Sequence, residues 1–432
     1  MIQSIEEGRK EDGNRSIAEK ILKRLHDLEK TKEKNQGRWA WELLQNAKDN
    51  IADDEQKSLS IQIILNENSV EFKHNGLYFS EQDIRGIINQ ISSKEKEEGC
   101  ETKKTGRFGT GFLTTHILTK LIKVKGVVED NEKNHHLFEF TLDRTGKSTN
   151  ELIPQIENAW IEFHKSTKKI NLSDLENGFN TSFYYFLETD KQKEIARIGL
   201  EEFLILLPYV LTFIPKIGDV VIIDNIKDKN VTYENTSIVH NKYIKTITKS
   251  ENGNKTDIHI LFSTKDEVCI ATEVEIKNEE YKIKYIGDIP KLFCDFPLIG
   301  TETFYLPVIV NSFYFSPQTE RDGIWLKGSD DPEVDKNKYL LETAMEIYID
   351  LINDLQNNEF KNLFNIVESR FPLTNLDYFD ELWFKNHIHK RVKDYVFNAK
   401  IVEIESEIGE KKSIQDLWFP MKSYENKLRE KI

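Results

Sequence analysis

The sequence is poor in cysteine, lacks long apolar segments and carries fewer basic than acidic residues. Its three cysteines, Cys100, Cys269 and Cys294, are scattered and odd in number, which excludes a disulfide framework and a CxxC zinc site and favours a reducing cytoplasm. No stretch of about 18 uncharged apolar residues occurs, and the first residues lack the apolar core of a signal peptide, so we expect no membrane partner. The net charge of −14 argues against a general binder of nucleic-acid backbones, although a local basic groove is compatible with it.

The composition is that of a folded chain, with 38% hydrophobic and 31% charged residues. A length of 432 residues predicts two or three domains. The first predicted region, 1–190, mixes helices with antiparallel-looking strands, which is typical of an α+β sandwich with helices on one sheet face. The second, 191–330, starts with a long helix and continues as strands, whereas the third, 331–432, is helical and mixed. The chain ends in the charged run 425–432 without a capping signal, which is compatible with a longer native protein.

The spacing of apolar residues predicts individual helices and strands. Helices are predicted over 16–30, 37–52, 80–91, 110–123 and 191–213, and again from about residue 331. Strands are predicted over 59–65, 70–73, 124–128, 136–142, 181–187, 220–223, 243–248, 258–262, 273–276 and 305–310.

The predicted helix 37–52 carries a polar stripe. Glu42, Asn46 and Asp49 are spaced i, i+4 and i+7, so they share one face at the edge of the apolar side. A solvated face explains most such stripes, and taken alone this is the simpler interpretation.

Three further segments have the composition of a ligand site, although each is weak evidence alone. A predicted strand ends in His74-Asn75-Gly76, where an Asn-Gly pair indicates a turn. The glycine-rich segment 105–112 leads into an apolar helix, and its glycines allow backbone N–H groups to approach phosphate oxygens. The segment 178–183 is a polar entry into a buried strand that begins at Thr181.

Together, in this order and at these intervals, the four segments resemble the nucleotide-binding fold of the GHKL superfamily (gyrase, heat-shock chaperone, histidine kinase, MutL). The letters ELLQNAKD resemble its first box, HNGLYF its second and GRFGTGF its third, and Thr181 takes the place of its late threonine. The resemblance covers about the first 190 residues and is closest to the sacsin-like and heat-shock-chaperone-like ATPases. It implies a Bergerat-type α/β sandwich that binds ATP and Mg²⁺, followed by a strand-rich transducer-like domain.

The resemblance also implies roles for single residues. Asn46 would give Mg²⁺ its one side-chain oxygen, Glu42 would activate the attacking water, and Asp49 would brace the pocket through hydrogen bonds. Lys94 and Arg107 would neutralise phosphate charge as the loop 92–105 closes like a lid. The implied nucleotide-binding residues are Asn46, Asp49, His74, Asn75, Gly76, Lys94, Gly106, Arg107, Phe108, Gly109, Thr110, Gly111, Phe112 and Thr181.

Two residues depart from the superfamily pattern. Most members have an aspartate where His74 stands, and that carboxylate accepts the amino group of adenine. A neutral histidine offers one acceptor, and Asn75 offers another, so the resemblance implies ATP while an altered base preference stays open. Tyr78 replaces the usual second glycine of the box. The alternative for His74 is an ordinary strand-end histidine that faces solvent.

The second region contains a further candidate in the segment 316–323. In superfamily ATPases the domain after the nucleotide fold sends a basic or amide side chain to the γ-phosphate, and Arg321 or Gln318 fits that catalytic role. The alternative is a turn with local ion pairs among Glu320, Arg321 and Asp322.

These observations favour an ATPase that uses lid closure and interdomain rearrangement as a chaperone-like or conformational switch. A glutamate at position 42 argues against a histidine kinase. The net charge argues against a DNA-directed role but does not exclude one. A protein client, a homodimer and a bacterial stress or defence assembly follow by analogy alone. The competing hypothesis is a nucleotide-gated binding module that scarcely hydrolyses ATP, and a third is a structural protein with a decayed pocket.

Overall fold

A computed structural model describes most of the chain. The described residues are 2–32, 36–51, 58–90, 111–175, 178–236, 239–240, 243–304, 306–318, 321–356, 360–367, 377–404 and 410–417. The chain divides into two compact units, the first comprising Met1–Thr236 and Thr248–Thr256, the second Ser237–Ile247 and Asp257–Ile432. The finer division into three regions at residues 190 and 330 stays a prediction.

Helices and strands are both abundant in the described residues, so the predicted α+β class is confirmed. The helices are α1 (Ile2–Thr31), α2 (Arg38–Asp49), α3 (Glu81–Asn89), α4 (Gly111–Thr114), α5 (Thr149–Ser166), α6 (Asp190–Phe213), α7 (Pro332–Gln356), α8 (Glu381–Trp383) and α9 (Lys390–Asn398). The strands are β1 (Leu59–Asn66), β2 (Ser69–His74), β3 (Leu121–Glu129), β4 (His135–Asp143), β5 (Lys168–Lys169), β6 (Thr181–Phe186), β7 (Ile217–Asp224), β8 (Lys229–Glu234), β9 (Val239–His240), β10 (Ile244–Glu251), β11 (Asn254–Lys265), β12 (Val268–Lys277), β13 (Glu280–Ile283), β14 (Leu292–Cys294), β15 (Phe296–Pro297), β16 (Ile309–Asn311), β17 (Phe360–Lys361), β18 (Lys400–Glu403) and β19 (Lys411–Ser413).

The first unit is built on a mixed sheet with the strand order β5-β4-β3-β6-β2-β1-β7-β8-β10, to which β10 contributes Thr248–Glu251. All neighbours are antiparallel except β1 and β7, which run parallel. The strand β2 therefore lies between β1, to which a tight turn joins it, and β6, which comes much later in the chain.

Across β1, β2, β6, β3 and β4, one face of the sheet is apolar apart from one polar pair. Residues opposite each other across neighbouring strands form rows, and two of these rows consist of buried, almost entirely apolar side chains: Leu65, Val70, Tyr185, Ile122 and Leu142 in one row, and Ile63, Phe72, Phe183, Val124 and Phe140 in the next. The third row on the same face consists of Ile61, His74, Thr181, Gly126 and Phe138. Because residues two apart on a strand point to the same side, His74 and Thr181 share the buried face.

The opposite face is polar and half-exposed, and in the described residues helix α5 packs on the apolar side. On the polar face Glu71 pairs with Lys73 at 3.2 Å, and Glu139 pairs with Lys123 at 2.7 Å. On the apolar face the ring of Phe163, in α5, lies 5.4 Å from that of Phe138. The expected arrangement of helices on one sheet face is therefore present.

Helix α2 is held against α6 by tryptophans. Trp39 is fully buried, and a Cβ atom at Gly199 would lie 2.2 Å from its Nε1 atom. Only glycine at this point of α6 lets the two helices approach so closely. The ring of Trp41 lies 4.5 Å from that of Phe203, also in α6. These contacts fix the helix that carries the polar stripe.

In the second unit β12 is the central strand. It pairs with β11 along one edge and with β13 and β16 along the other, all antiparallel, whereas β14 and β17 add parallel neighbours. The core of this unit is packed around α7, which buries Leu340, Ala344, Tyr348, Leu351 and Ile352. Within the described ranges, no helix combines the length and apolar content that crossing a bilayer requires.

Most predicted elements are present, but α1 begins at Ile2 rather than residue 16, the strand predicted over 305–310 is confined to Ile309–Asn311, and two larger differences lie in the first unit. The predicted helix 110–123 is wrong in its extent, because the α-helix ends at Thr114, a 3-10 turn covers Thr115–Ile117, and β3 begins at Leu121. The β-branched residues Ile122, Val124 and Val127 favour that strand, which pairs on both edges. Helix α5 was not predicted, since Pro154 interrupts its helical pattern.

Candidate functional site

The first half of α2 is buried, including the carboxylate of the polar stripe. Glu42 is 6% exposed, and its Oε1 accepts a hydrogen bond from Nη2 of Arg38, one turn earlier, at 3.1 Å. The two side chains are 7% and 9% exposed, so each charge compensates the other in a poorly hydrated place. The alternative of a solvated helix face is therefore wrong for Glu42. Asn46 and Asp49, further along the helix, are half-buried.

The residue that opens α4 lies directly against this carboxylate. A Cβ atom at Gly111 would lie 2.6 Å from Oε2 of Glu42, so a side chain there would collide with the carboxylate. The ring of the next residue, Phe112, lies 5.2 Å from the ring of Phe183 on β6. Gly111 and Phe112 thus connect the carboxylate of α2 with the apolar face of the sheet.

His74 ends β2 on that face and is 3% exposed, so the alternative of a solvent-facing histidine is wrong. Its Nδ1 atom accepts a hydrogen bond from the backbone N–H of Gly76 at 3.1 Å. Burial lowers the pKa of His74 to about 3, because the charged imidazolium would lose its hydration. The ring is therefore neutral near pH 7, and its Nδ1 lone pair is already used within the turn.

Thr181 lies directly opposite His74 where β6 begins. Its Oγ1 donates a hydrogen bond to Oδ1 of Asn180 at 3.0 Å, and Nδ2 of Asn180 donates to the carbonyl oxygen of Gly76. The backbone N–H of Asn180 donates to the carbonyl oxygen of His74 at 3.2 Å. Asn180 therefore ties the two strand ends together. The sequence signalled this residue only as a polar position before a buried strand.

Asn50 fastens the end of α2 to the turn that follows β2. Its carbonyl oxygen accepts a hydrogen bond from the N–H of Leu77 at 2.7 Å, and its Nδ2 donates to the carbonyl oxygen of Asn46 at 2.9 Å. A Cβ atom at Gly76 would lie 2.8 Å from the same Asn50 oxygen, so a side chain there would push the turn away. The helix that carries Asn46 and the strand that carries His74 are thus joined.

Asn75, expected to offer a second acceptor to a base, has its oxygen engaged elsewhere. Its Oδ1 accepts a hydrogen bond from the backbone N–H of Ser60, on β1, at 2.7 Å. Six other implied nucleotide-binding residues lie outside the described residues: Lys94, Gly106, Arg107, Phe108, Gly109 and Thr110.

Gln318 and Arg321 belong to the second unit, where they form a tight turn. The N–H of Arg321 donates to the carbonyl oxygen of Gln318 at 2.8 Å, Arg321 has a φ of 54°, and Pro317 pairs with Ile324 across the turn. This is the turn that the alternative interpretation expected, although Glu320, one of its ionic partners, lies outside the described residues. The role of either residue toward a phosphate stays a prediction.

Arg38 is the charged residue of the site that sequence reasoning missed. Its signal was the i, i+4 spacing to Glu42, which favours an ion pair on one helix face. Within the described part of the chain, no group of three His, Cys, Asp or Glu side chains is placed to hold a metal ion.

The residues and their geometry are the basis on which a function can be assigned to this chain. No protein-family model matches the chain, and no curated protein matches it significantly. The site itself combines a buried carboxylate beside a glycine with a neutral polar pair on an apolar sheet face. A carboxylate of this kind can accept a proton, and such a polar pair can orient a flat polar ligand.

Proposed function

We propose that the first unit binds a purine nucleoside triphosphate with Mg²⁺ and hydrolyses it, as an ATPase of the GHKL type. The convergence of four distant motif segments on one side of the sheet carries this proposal. Glu42 of α2 lies against Gly111, and His74 at the end of β2 lies opposite Thr181. Asn50 joins α2 to the turn after β2. A few polar groups that converge beside an apolar surface are typical of a ligand pocket, and this convergence supports the proposal.

In this proposal Glu42 accepts a proton from the attacking water. Its Oε1 is engaged by Arg38, so Oε2, which faces Gly111, is the oxygen that contacts the water. The backbone N–H groups of the glycine-rich segment 105–112, with Lys94 and Arg107, bind the phosphates. Phe112 anchors the end of that segment against the ring of Phe183.

The residues fit a magnesium ion that is held mainly by phosphate oxygens. Asn46 is half-buried one turn after Glu42, and no described residue forms a hydrogen bond with its side-chain amide. A neutral amide oxygen suits this role, because Mg²⁺ on a triphosphate takes its other ligands from phosphates and water. When bound, the ion neutralises charge on the phosphate chain. Asp49, on the same helix, braces the pocket.

The wider proposal is a chaperone-like or conformational switch. Gln318 or Arg321, in the second unit, contacts the γ-phosphate and registers its loss, so that hydrolysis drives lid closure and interdomain rearrangement. The partners in this proposal are a protein client and a second copy of the chain, and the setting is a bacterial stress or defence assembly by analogy alone.

The buried ion pair supports a second candidate function, a nucleotide-gated binding module. With Oε1 of Glu42 held by Arg38 at 3.1 Å, the carboxylate is constrained in direction. A carboxylate that its partner holds away from the attacking water would activate that water poorly, so ATP would be bound, scarcely hydrolysed and used to license contact with a partner.

The experiment compares Glu42→Gln with the wild-type chain. We expect Mg²⁺-dependent phosphate release to fall about 100- to 10,000-fold, which is the usual contribution of a general base, while calorimetric affinity for the nucleotide changes little. Glu67→Gln is the matched control, because Glu67 is an exposed carboxylate in the turn between β1 and β2. Asn46→Ala should weaken Mg²⁺-dependent binding.

The outcomes separate the three hypotheses. Phosphate release that depends on Glu42 supports the hydrolase. Nucleotide binding that Asn46→Ala weakens, without any release that depends on Glu42, supports the binding module. No calorimetric binding of ATP, GTP or ITP with Mg²⁺ overturns the proposal and leaves a structural protein with a decayed pocket.

A further inference from the structure

The imidazole of His74 has one nitrogen engaged within the protein and one that is not. Nδ1 accepts the hydrogen bond from the Gly76 backbone, whereas no described residue forms a hydrogen bond with Nε2. His74 is only 3% exposed, so Nε2 is a polar atom inside the fold for which the described residues supply no hydrogen-bond partner.

The hydrogen bond at Nδ1 decides which tautomer His74 adopts. A backbone N–H can only donate, so Nδ1 must carry a lone pair rather than a proton. Burial keeps the imidazole neutral near pH 7, since it lowers the pKa of His74 to about 3, and a neutral ring carries its single proton on the other nitrogen. Nε2–H is therefore a hydrogen-bond donor.

The neighbouring polar atom, Oγ1 of Thr181, is fixed as a hydrogen-bond acceptor rather than a donor. Nδ2 of Asn180 donates to the carbonyl oxygen of Gly76, so Oδ1 of Asn180 is the acceptor for the hydroxyl proton of Thr181. With its proton so directed, Oγ1 of Thr181 can only accept a hydrogen bond from a ligand. Because His74 and Thr181 are directly opposite in an antiparallel pair, a donor and an acceptor lie side by side.

The other residues in the strand row that contains His74 and Thr181 cannot accept a hydrogen bond from Nε2–H of His74. Ile61 and Phe138 are apolar and fully buried, and Gly126 has no side chain. The ring of Phe79 fills the space over Gly126, where a Cβ atom would lie 2.6 Å from it. An unpaired buried donor is unfavourable, so a ligand that supplies an acceptor at this point gains free energy.

We propose that the pocket prefers a 6-oxopurine nucleotide, such as GTP or ITP, over the 6-aminopurine nucleotide ATP. The inference rests on the proposed function, in which position 74 faces the substituent at C6 of the base. A 6-oxopurine presents an acceptor at O6 beside a donor at N1–H, which complements Nε2–H of His74 and Oγ1 of Thr181. A 6-aminopurine in the same orientation sets its amino group against the His74 donor.

The test measures the affinities of β,γ-imido analogues of GTP, ITP and ATP for the full chain by calorimetry with Mg²⁺. ITP and ATP differ only at the C6–N1 edge, so their comparison isolates the contact. We expect the 6-oxo analogues to bind about tenfold more tightly, which corresponds to one neutral hydrogen bond. Equal binding, or tighter binding of the ATP analogue, overturns the inference and leaves the proposed function intact.

Variants at position 74 test the cause. In His74→Asp one carboxylate oxygen can accept the Gly76 N–H and the other the amino group of adenine, so we expect the preference to reverse. His74→Asn offers an amide that donates or accepts and should bring the two affinities close together. Lys73→Gln, on the polar face of β2, is the control and should leave the ratio unchanged. If neither the wild type nor any variant binds a nucleotide, the proposed function itself is wrong.

Discussion

Replacing Gly199 with alanine should destabilise the first unit, although alanine is the better helix former. Alanine in place of glycine in a helix interior is favourable by about 1 kcal/mol. The new Cβ atom would, however, lie 2.2 Å from Nε1 of Trp39, whose rigid indole is fully buried and cannot move aside freely. Overpacking of a well-packed core costs about 1–3 kcal/mol, and so close an approach places the cost near the upper end. We expect a net loss of about 2 kcal/mol in the free energy of unfolding.

The assay is urea unfolding followed by tryptophan fluorescence, with thermal unfolding alongside. A loss of about 2 kcal/mol in a unit of this size lowers the midpoint temperature by roughly 4–8 °C. Gly13→Ala is the matched control, because Gly13 is exposed within α1 and a Cβ atom there meets nothing within 4 Å. This control should raise stability by about 0.5–1 kcal/mol.

A double-mutant cycle identifies the cause. In a Trp39→Phe background the smaller ring leaves room for the new methyl group, so Gly199→Ala should lose most of its destabilising effect. Equal or greater stability of Gly199→Ala in the wild-type background, with Gly13→Ala behaving as expected, would refute the packing argument for α2 and α6.

Two further predictions concern buried groups near the site. Burial lowers the pKa values of both His74 and His116 to about 3, so between pH 6.5 and 3 the unfolded chain binds more protons and the folded chain loses stability as the pH falls. At pH 5 each histidine should lower the free energy of unfolding by roughly 2 kcal/mol. His116→Gln should therefore reduce the loss of stability between pH 7 and pH 5, measured by urea unfolding. An unchanged loss would contradict the lowered pKa of His116. Gly111→Ala should displace the Glu42 carboxylate, which its Cβ atom would approach to 2.6 Å, and should lower kcat at least tenfold with little change in nucleotide affinity. An unaltered kcat in a variant that folds and binds would show that Oε2 of Glu42 does not contact the attacking water.

The sequence predicted those elements whose apolar periodicity is uninterrupted. The helices α2 and α7 and the hairpin of β1 and β2 follow such patterns and are confirmed. Two errors flank the site, and each has a local cause. The stretch after Thr114 alternates between helical and strand periodicity, and pairing with β4 and β6 decides for the strand β3. Pro154 is the sixth residue of α5, inside the helix rather than in its first turn, and it interrupts the pattern in the sequence.

The site was less predictable because its polar atoms depend on contacts between distant segments. The stripe of Glu42, Asn46 and Asp49 indicated a face but could not tell a buried carboxylate from a solvated one. The ion pair with Arg38 and the clasp made by Asn50 appear only when α2 is packed in place. The sequence likewise left open which nitrogen of His74 is protonated, because the Gly76 N–H that decides this belongs to a turn geometry rather than to a residue type.

The pairing of β2 with β6 has a consequence for how the chain folds during synthesis. Gly76 and Asn180, which hold the two strand ends together, are 104 residues apart in the chain. The ribosome must therefore complete β6 before His74 and Thr181 can meet, and must pass β7 before β1 gains its parallel neighbour. Until then the hairpin of β1 and β2 has two unpaired edges and an uncovered apolar face, features that favour association with other chains. The hairpin that carries His74 is thus the part of the pocket most exposed to aggregation while the rest of the first unit is still being translated.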